Sequence, residues 1–151
     1  MKKILYFIKY NTNKILIIIL LLFLYSFLCS FIYANNISTG LKQNVFRLHV
    51  IANSNSKEDQ DLKYIVRDSL INYMQEICKY SKSKEETIYI VSDHIDDFVN
   101  IANNLILDNG FNYTASVEIG NFKFPTKQYG DICFPAGYYD ALEVKLGKSA
   151  R

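Results

Sequence analysis

The fold is decided by residues 46–77, FRLHVIANSNSKEDQDLKYIVRDSLINYMQEI. At the start of this stretch, apolar Leu48 and Val50 alternate with polar Arg47 and His49, the period of two that is typical of a β-strand with one buried face. Polar residues then end the pattern, and apolar residues recur at steps of three and four, which predicts an amphipathic helix. The sequence therefore predicts a strand followed directly by a helix, and the remaining elements of the fold are assigned around this pair.

Capping signals mark the ends of two predicted helices. Ser56 followed by Asp59 resembles a capping box, so we expect the first helix to begin there. A second helical period follows a polar connector and ends at Asn109-Gly110, which supply a C-terminal stop. Two helices therefore follow the first strand.

Beyond the second helix the sequence predicts three strands. Residues 115–119 and 122–124 alternate with a period of two, and Gly120-Asn121 between them predicts a two-residue hairpin. Residues 142–146 predict the last strand. The order β-α-α-β-β-β predicts one small α+β domain, in which two helices pack on a mostly antiparallel sheet.

The N-terminal part of the chain contains an apolar segment, residues 15–34, without a charge. Twenty helical residues span about 30 Å, the thickness of the hydrocarbon core of a bilayer. Fourteen of them are Leu, Ile or Phe, and these favour insertion by about 4 to 8 kcal/mol. We expect a membrane-spanning or signal helix; its length favours a retained anchor, and whether it is cleaved stays open.

Charge asymmetry predicts the orientation of this helix. Four lysines precede the apolar segment, and Lys42 is the next charged residue after it. The positive-inside rule then keeps the N-terminus in the cytoplasm and sends the remainder across the membrane. The predicted parts are a basic cytoplasmic leader (1–14), the transmembrane or signal segment (15–34), a linker (35–44) and an exported domain (45–151).

Charge and cysteine spacing argue against several classes of function. Four of the 17 Lys and Arg residues lie in the leader, so the rest of the chain carries 13 basic and 15 acidic residues, without a basic cluster. This distribution of charge lacks the basic patch that binding to nucleic acid requires. Three cysteines without CxxC spacing and two histidines do not readily complete a zinc site, so no metal is expected. No cofactor and no small-molecule substrate is expected either. Whether Cys78 and Cys133 form a disulfide stays open.

A polar patch on the first strand and helix is the main candidate for recognition. Its members are Arg47, His49, Lys63 and Arg67. The first two project from one face of the strand, and the other two lie four residues apart on the helix. The alternative is that Arg47 forms a structural bridge with Asp59 or Asp68.

Catalysis is less well supported by the sequence. His94 lies three residues before Asp97, so a His/Asp pair is possible, but a solvated helix face gives the same pattern. The 12 tyrosines and 10 phenylalanines suit an interface, although a compositional bias toward such residues is the alternative. A secreted or anchored hydrolase using Cys133 and a histidine, and an envelope-structural protein, remain alternative functions.

Residues 47–56, RLHVIANSNS, resemble the opening of the stage II sporulation protein R family. The similarity continues through Glu58-Asp59-Gln60, Leu62-Lys63 and Val66-Arg67-Asp68. Later segments of the same family are Phe124-Pro125-Thr126-Lys127, Tyr129-Gly130 and Phe134-Pro135-Ala136-Gly137-Tyr138-Tyr139-Asp140-Ala141-Leu142. The resemblance covers about residues 45 to 147.

The resemblance implies a signalling protein that is made in the forespore and exported into the space between the two sporangial membranes. Its partner in the family is a membrane-embedded aspartic protease of the mother cell, which cleaves the sigma-E precursor. The domain itself performs no known chemistry in the family, so it is expected not to be an enzyme. We expect its partner-binding residues to be Arg47, His49, Asn53, Asp59, Arg67, Tyr138 and Tyr139.

The sequence departs from the family pattern in two places. Asn55 stands where members usually have Asp, a mild change in a turn. Members also continue past the region of Gly147 into a tail with tryptophans, prolines and two cysteines. The chain therefore resembles a member without its C-terminal tail, and we expect any activity that needs the tail to be affected.

Overall fold

A computed structural model describes residues 2–148 of the chain, with side chains described at 11–35, 40 and 44–148. The chain forms two compact units, which divide between Gly40 and Leu41. The last three residues of the predicted 45–151 domain, and the side chains of Lys2, Lys3, Lys9 and Lys42, lie outside the described residues.

Helix α1, Lys2–Asn44, forms the first unit up to Gly40, and its last residues belong to the second unit. Its segment Asn11–Asn35 includes a window of mean hydropathy 3.0, and it is long and apolar enough to cross a membrane. A signal sequence near the N-terminus has the same character, so the helix suits either role. The backbone stays helical through the stretch that was predicted as a linker, 35–44.

The second unit is an α+β domain, which confirms the predicted fold class. Its helices are α2 (Lys57–Ile77), α3 (Lys84–Asp93) and α4 (Ile95–Asp108). Its strands are β1 (Arg47–Ile51), β2 (Ala115–Phe124), β3 (Lys127–Tyr129), β4 (Ile132–Phe134) and β5 (Gly137–Leu146). A three-stranded sheet has the order β1-β5-β2, and β3 pairs with β4 in a separate two-stranded sheet. The β1 and β5 strands are parallel, whereas the other two pairings are antiparallel.

The core lies between the three-stranded sheet and the helices. On β5, Leu142, Val144 and Leu146 are fully buried, and they pack with apolar residues of α2 and α4 such as Leu62 and Phe98. Full burial of each such side chain contributes about 1.5 to 3 kcal/mol. The alternate β5 residues point to the opposite face, where Tyr139 and Ala141 form a smaller cluster with Phe124, Phe122 and Phe134.

The start of α2 confirms the predicted cap. The Ser56 side chain accepts a hydrogen bond from the backbone N–H of Asp59 at 3.2 Å. Ser83 does the same for Glu86 at the start of α3. These contacts satisfy backbone donors that have no partner within the helix.

The predicted hairpin at Gly120-Asn121 is wrong. Strand β2 runs through both residues, which lie opposite Ala141 and Asp140 of β5. Ten continuous residues of β5 supply partners for the whole length of β2, so the pairing outweighs the local turn preference. The hairpin in this region joins β3 and β4, where Gly130 has the left-handed φ of 57° that a tight turn favours.

The predicted second helix is divided in two at His94. This residue has φ −109° and ψ 16°, outside the helical region, and it ends α3 and precedes α4. Its Nδ1 lies 2.8 Å from Asp97 Oδ2 and 3.0 Å from the Tyr73 hydroxyl of α2. The break is therefore held by a contact between helices, which the helical period alone does not contain.

Candidate partner-binding site

Strand β1 is an edge strand, and a groove of about 420 Å³ runs along it. The groove touches Leu48, His49 and Val50 in succession. Because consecutive residues of a strand point to opposite faces, a groove in contact with all three must follow the strand's edge. Within the described residues β1 pairs only with β5, so this is the edge without a partner strand.

Two elements form the walls of this groove, which we call the β1 groove. Helix α2 contributes Lys63, Tyr64 and Arg67, and strand β3 contributes Lys127 and Tyr129. The Lys63 amino group lies 4.5 Å and the Arg67 guanidinium 4.9 Å from the centre of the Tyr64 ring. Both cations are within cation–π distance of the Tyr64 ring, and these contacts help to hold the two charges at the helix wall.

Arg47 lies next to the groove, on the face of the sheet opposite the helices. Its guanidinium is 4.1 Å from the centre of the Phe124 ring, 4.9 Å from Tyr139 and 5.7 Å from Phe134. Its Nη1 atom is buried without a hydrogen-bond partner among the described residues. The alternative, a bridge from Arg47 to Asp59 or Asp68, is not formed among the described residues, since Asp68 pairs with Arg67 and Asp59 bonds to Ser54, Asn53 and Tyr113.

His49 lies on the same face as Arg47 and is tied to the central strand. Its Nδ1 is 3.1 Å from Glu143 Oε2, and its ring packs against Phe124 at an interplanar angle of 57°, with centres 5.1 Å apart. Lys145 donates to Glu143 at 2.8 Å and to Glu118. Hydrogen bonds to both carboxylates raise the pKa of Lys145, and its hydrogen bond and charge lower the pKa of Glu118.

Asn53 and Asp59 form a buried network behind β1. Asp59 is 5% exposed, and it accepts hydrogen bonds from Ser54, from Asn53 at 3.1 Å and from the Tyr113 hydroxyl at 2.7 Å. Burial alone would raise the pKa of Asp59, but these hydrogen bonds outweigh it and the pKa is lowered. Asn53 also accepts the backbone N–H of Lys148 at 3.0 Å, which joins the ends of β1 and β5.

Arg67 is exposed and binds its own neighbour. It donates to Asp68 from Nε at 2.8 Å and from Nη2 at 2.6 Å. Exposed pairs of this kind contribute at most about 1 kcal/mol to stability. Arg67 thus remains at the surface, where a partner can reach it.

The two adjacent tyrosines of β5 lie in different environments. Tyr138 is 62% exposed, whereas Tyr139 is fully buried and donates from its hydroxyl to the Pro135 carbonyl at 2.6 Å. Strand alternation sends the two side chains to opposite faces. The Tyr139 ring packs against the Arg47 guanidinium, whereas the Tyr138 side chain is accessible at the surface.

The polar cluster at His94 lies at the break between α3 and α4. The Tyr73 hydroxyl donates to Asp97 at 2.7 Å. Burial, and then the hydrogen bond to Asp97, raise the pKa of Tyr73 to about 12. Hydrogen bonds from Tyr73 and His94 lower the pKa of Asp97. These hydrogen bonds connect Tyr73 of α2 with Asp97 of α4 and with His94, the residue between α3 and α4.

The cysteines are free thiols in this structure. Cys78 is half-buried, which raises the pKa of its thiol, and Cys133 is exposed on β4. In the part of the chain that is described, no group of three or more His, Cys, Asp or Glu side chains is placed to hold a metal ion.

The structure brings together part of the predicted site. His49 and Arg67 line the β1 groove, and Arg47 lines two smaller cavities beside it, whereas Asn53 and Asp59 form the buried network and Tyr138 lies elsewhere. Lys63 belongs to the polar patch that the sequence predicts, whereas Lys127 and Tyr129 also line the groove but are not among the predicted residues. The sequence signal for Lys63 is its i to i+4 spacing with Arg67 on one helix. Lys127 and Tyr129 lie on the β3–β4 hairpin, which connects the paired strands β2 and β5, so their position depends on long-range pairing.

Comparison with known proteins identifies the family. Residues 42–150 match the model of the family described as stage II sporulation protein R. Stage II sporulation protein R of Bacillus subtilis (strain 168) is 33% identical over 107 residues, which make up 71% of this chain and 48% of that protein. The chain thus spans about half the length of this curated relative, and no solved structure matches it. Since the family model covers well over half of the sequence, the chain belongs to the stage II sporulation protein R family.

Proposed function

We propose that the chain is an exported sporulation signalling protein that activates a membrane-embedded aspartic protease of the mother cell. The protease then processes the sigma-E precursor. The observation that carries this proposal is the order of the two units: a segment that matches a sporulation family, 42–150, follows a helix long enough to cross a membrane. This order suits a domain that is made in the forespore and acts in the intermembrane space.

We propose further that the domain acts by binding and not by catalysis. Among the described residues, the two histidines bond to Glu143, Tyr73 and Asp97, and not to a cysteine or a serine. A nucleophile needs a base within hydrogen-bond reach, so these contacts favour structural roles for both histidines. Cys133→Ser is therefore expected to leave signalling unchanged, whereas a cysteine hydrolase would lose all turnover.

Reconstitution in a bacterium without sporulation genes tests the proposal. The host produces the protease, an epitope-tagged sigma-E precursor and a chimera in which residues 42–148 replace the matching segment of the Bacillus subtilis relative. We expect the shortened sigma-E form on an immunoblot when the chimera is exported. The matched control carries the same domain without an export segment, and we expect no processing from it.

Unaltered stage II sporulation protein R of Bacillus subtilis is the positive control of this experiment. If the relative triggers processing and the exported chimera does not, the signalling role of this domain is wrong. Equal processing by the exported and the cytoplasmic chimera would contradict action outside the cytoplasm.

A further inference from the structure

We propose that the β1 groove binds an extended acidic segment of a partner protein, which adds to β1 as a further strand of the sheet. Recognition of the mother-cell protease as that partner rests on the proposed function, whereas the strand addition rests on the structure alone. The argument depends on three features of the groove: its backbone, its charges and its adjoining cavities.

The backbone of β1 offers hydrogen bonds to an incoming strand. About half of the N–H and C=O groups of an edge strand point away from its partner. Proteins often protect such an edge with inward charges, bulges or a covering element, and an unprotected edge is a template for an added peptide. Here helix α2 and strand β3 stand on either side of the edge and leave the space between them open.

The charges of the groove select an acidic occupant. Lys63 and Arg67 line its helix wall, and Lys127 lines the opposite wall. The acidic member of the lining, Asp68, is already paired with Arg67 at 2.6 Å. Side chains of an added strand alternate between the two walls, so the carboxylates on one face of the peptide meet Lys63 and Arg67, and Lys127 adds to the positive charge of the groove from the other wall.

Adjoining cavities provide places for apolar side chains between the carboxylates. Cavities of about 240 and 210 Å³ share Arg47, Leu48 and Tyr129 in their walls. Phe134 lines the first and Phe124 lines the second. An extended peptide in which acidic and apolar residues alternate therefore fits along β1 from Arg47 to Val50, with its carboxylates toward the helix wall and its apolar side chains toward these cavities.

Peptide binding to the full chain in detergent micelles tests the proposal. The probe is a fluorescein-labelled peptide of alternating Glu and Val, followed by fluorescence anisotropy. We expect saturable binding, and we expect at least about tenfold weaker binding for a Lys-Val peptide of the same length. Methylation of alternate backbone nitrogens leaves charge and side chains unchanged, and it should also weaken binding about tenfold because it removes donors of the sheet ladder.

Charge reversal locates the site. The double variant Lys63→Glu and Lys127→Glu should weaken binding by about tenfold or more. The matched control, Lys79→Glu and Lys82→Glu, makes the same change in net charge at exposed lysines outside the groove, and it should stay within about twofold. Lys79 is a close match for Lys63, because each lysine lies over the ring of the tyrosine that follows it.

Several outcomes overturn the inference. They are the absence of binding by the Glu-Val peptide, equal binding of its N-methylated form, and equal effects of the two double variants. The same variants, introduced into the reconstituted signalling assay, separate this inference from the proposed function. Peptide binding without sigma-E processing would leave the strand addition standing and remove the signalling role; normal processing by the groove variant would show that the protease binds elsewhere.

Discussion

At Arg47, a positive charge lies against three aromatic rings and leaves one buried donor without a partner. The aliphatic part of an arginine contributes packing in such a place, and the charge contributes a cation–π attraction. An unpaired buried donor opposes both contributions, by about 1 to 3 kcal/mol. The packing of the stem is therefore expected to be the main contribution of Arg47 to stability.

Substitution at Arg47 separates these effects. We expect Arg47→Ala to lower the free energy of unfolding by about 2 to 3 kcal/mol, because stem and charge are both lost. Arg47→Met keeps the stem and removes the unpaired donor, so it should lie within about 1 kcal/mol of the natural protein. Urea unfolding followed by near-ultraviolet circular dichroism measures both. Lys79→Met, at an exposed lysine over Tyr80, is the control, with an expected change under about 0.5 kcal/mol. Equal losses for Ala and Met would mean that the charge, and not the stem, stabilises this site.

At the scale of elements, the sequence predicts what each segment forms better than it predicts which segments meet. The alternation at Leu48 and Val50 and the cap at Ser56 are local signals, and both predictions are confirmed. Gly120-Asn121 is also a local signal, but β5 pairs across it. The insertion of β5 between β1 and β2 depends on contacts between distant residues, and the same long-range pairing decides which side chains line the β1 groove.

A side chain of a third helix contacts both sides of the division between α3 and α4. The Tyr73 hydroxyl contacts both His94 and Asp97 across the break. Neither Pro nor Gly is present at 92–97 to end a helix locally. Loss of this hydroxyl should therefore weaken the junction of the three helices while leaving the aromatic packing of Tyr73 on Phe98 in place.

Tyr73→Phe tests this junction. We expect a loss of about 1 to 2 kcal/mol at pH 8, because two hydrogen bonds disappear and the ring remains. The pKa of Tyr73 in the folded protein is raised to about 12, above the unfolded value of about 10. Its contribution is therefore complete below about pH 10 and is lost as pH rises through the folded pKa.

The difference in stability between the natural protein and Tyr73→Phe should accordingly shrink between pH 10 and pH 12. Urea unfolding at a series of pH values measures it, and Tyr80→Phe, at a tyrosine that is 81% exposed, is the control. A difference that stays constant to pH 12 would contradict the hydrogen-bonded role of Tyr73.

At the scale of the whole molecule, the two units place their apolar side chains in opposite ways. In the domain, Leu62 and Leu70 are at most 1% exposed, whereas in α1 Leu20 is 65% and Phe23 is 73% exposed. A contiguous apolar surface of this kind is unfavourable in water and favourable in the hydrocarbon of a bilayer. The first unit is therefore suited to a membrane and the second to an aqueous compartment.

The lysines before the apolar segment predict the orientation of the chain in the membrane. We expect alkaline phosphatase fused after Arg151 to be active, and a cytoplasmic fluorescent reporter at the same place to be dark, because the positive-inside rule holds the leader in the cytoplasm. Replacement of Lys2, Lys3, Lys9 and Lys14 by Gln should lower phosphatase activity several-fold, since the charge asymmetry across the segment is lost. The matched control replaces four exposed lysines of the domain, Lys57, Lys79, Lys82 and Lys123, and should leave the activity unchanged. An inactive phosphatase together with a bright cytoplasmic reporter would place the domain in the cytosol, where a messenger between two membranes could not act.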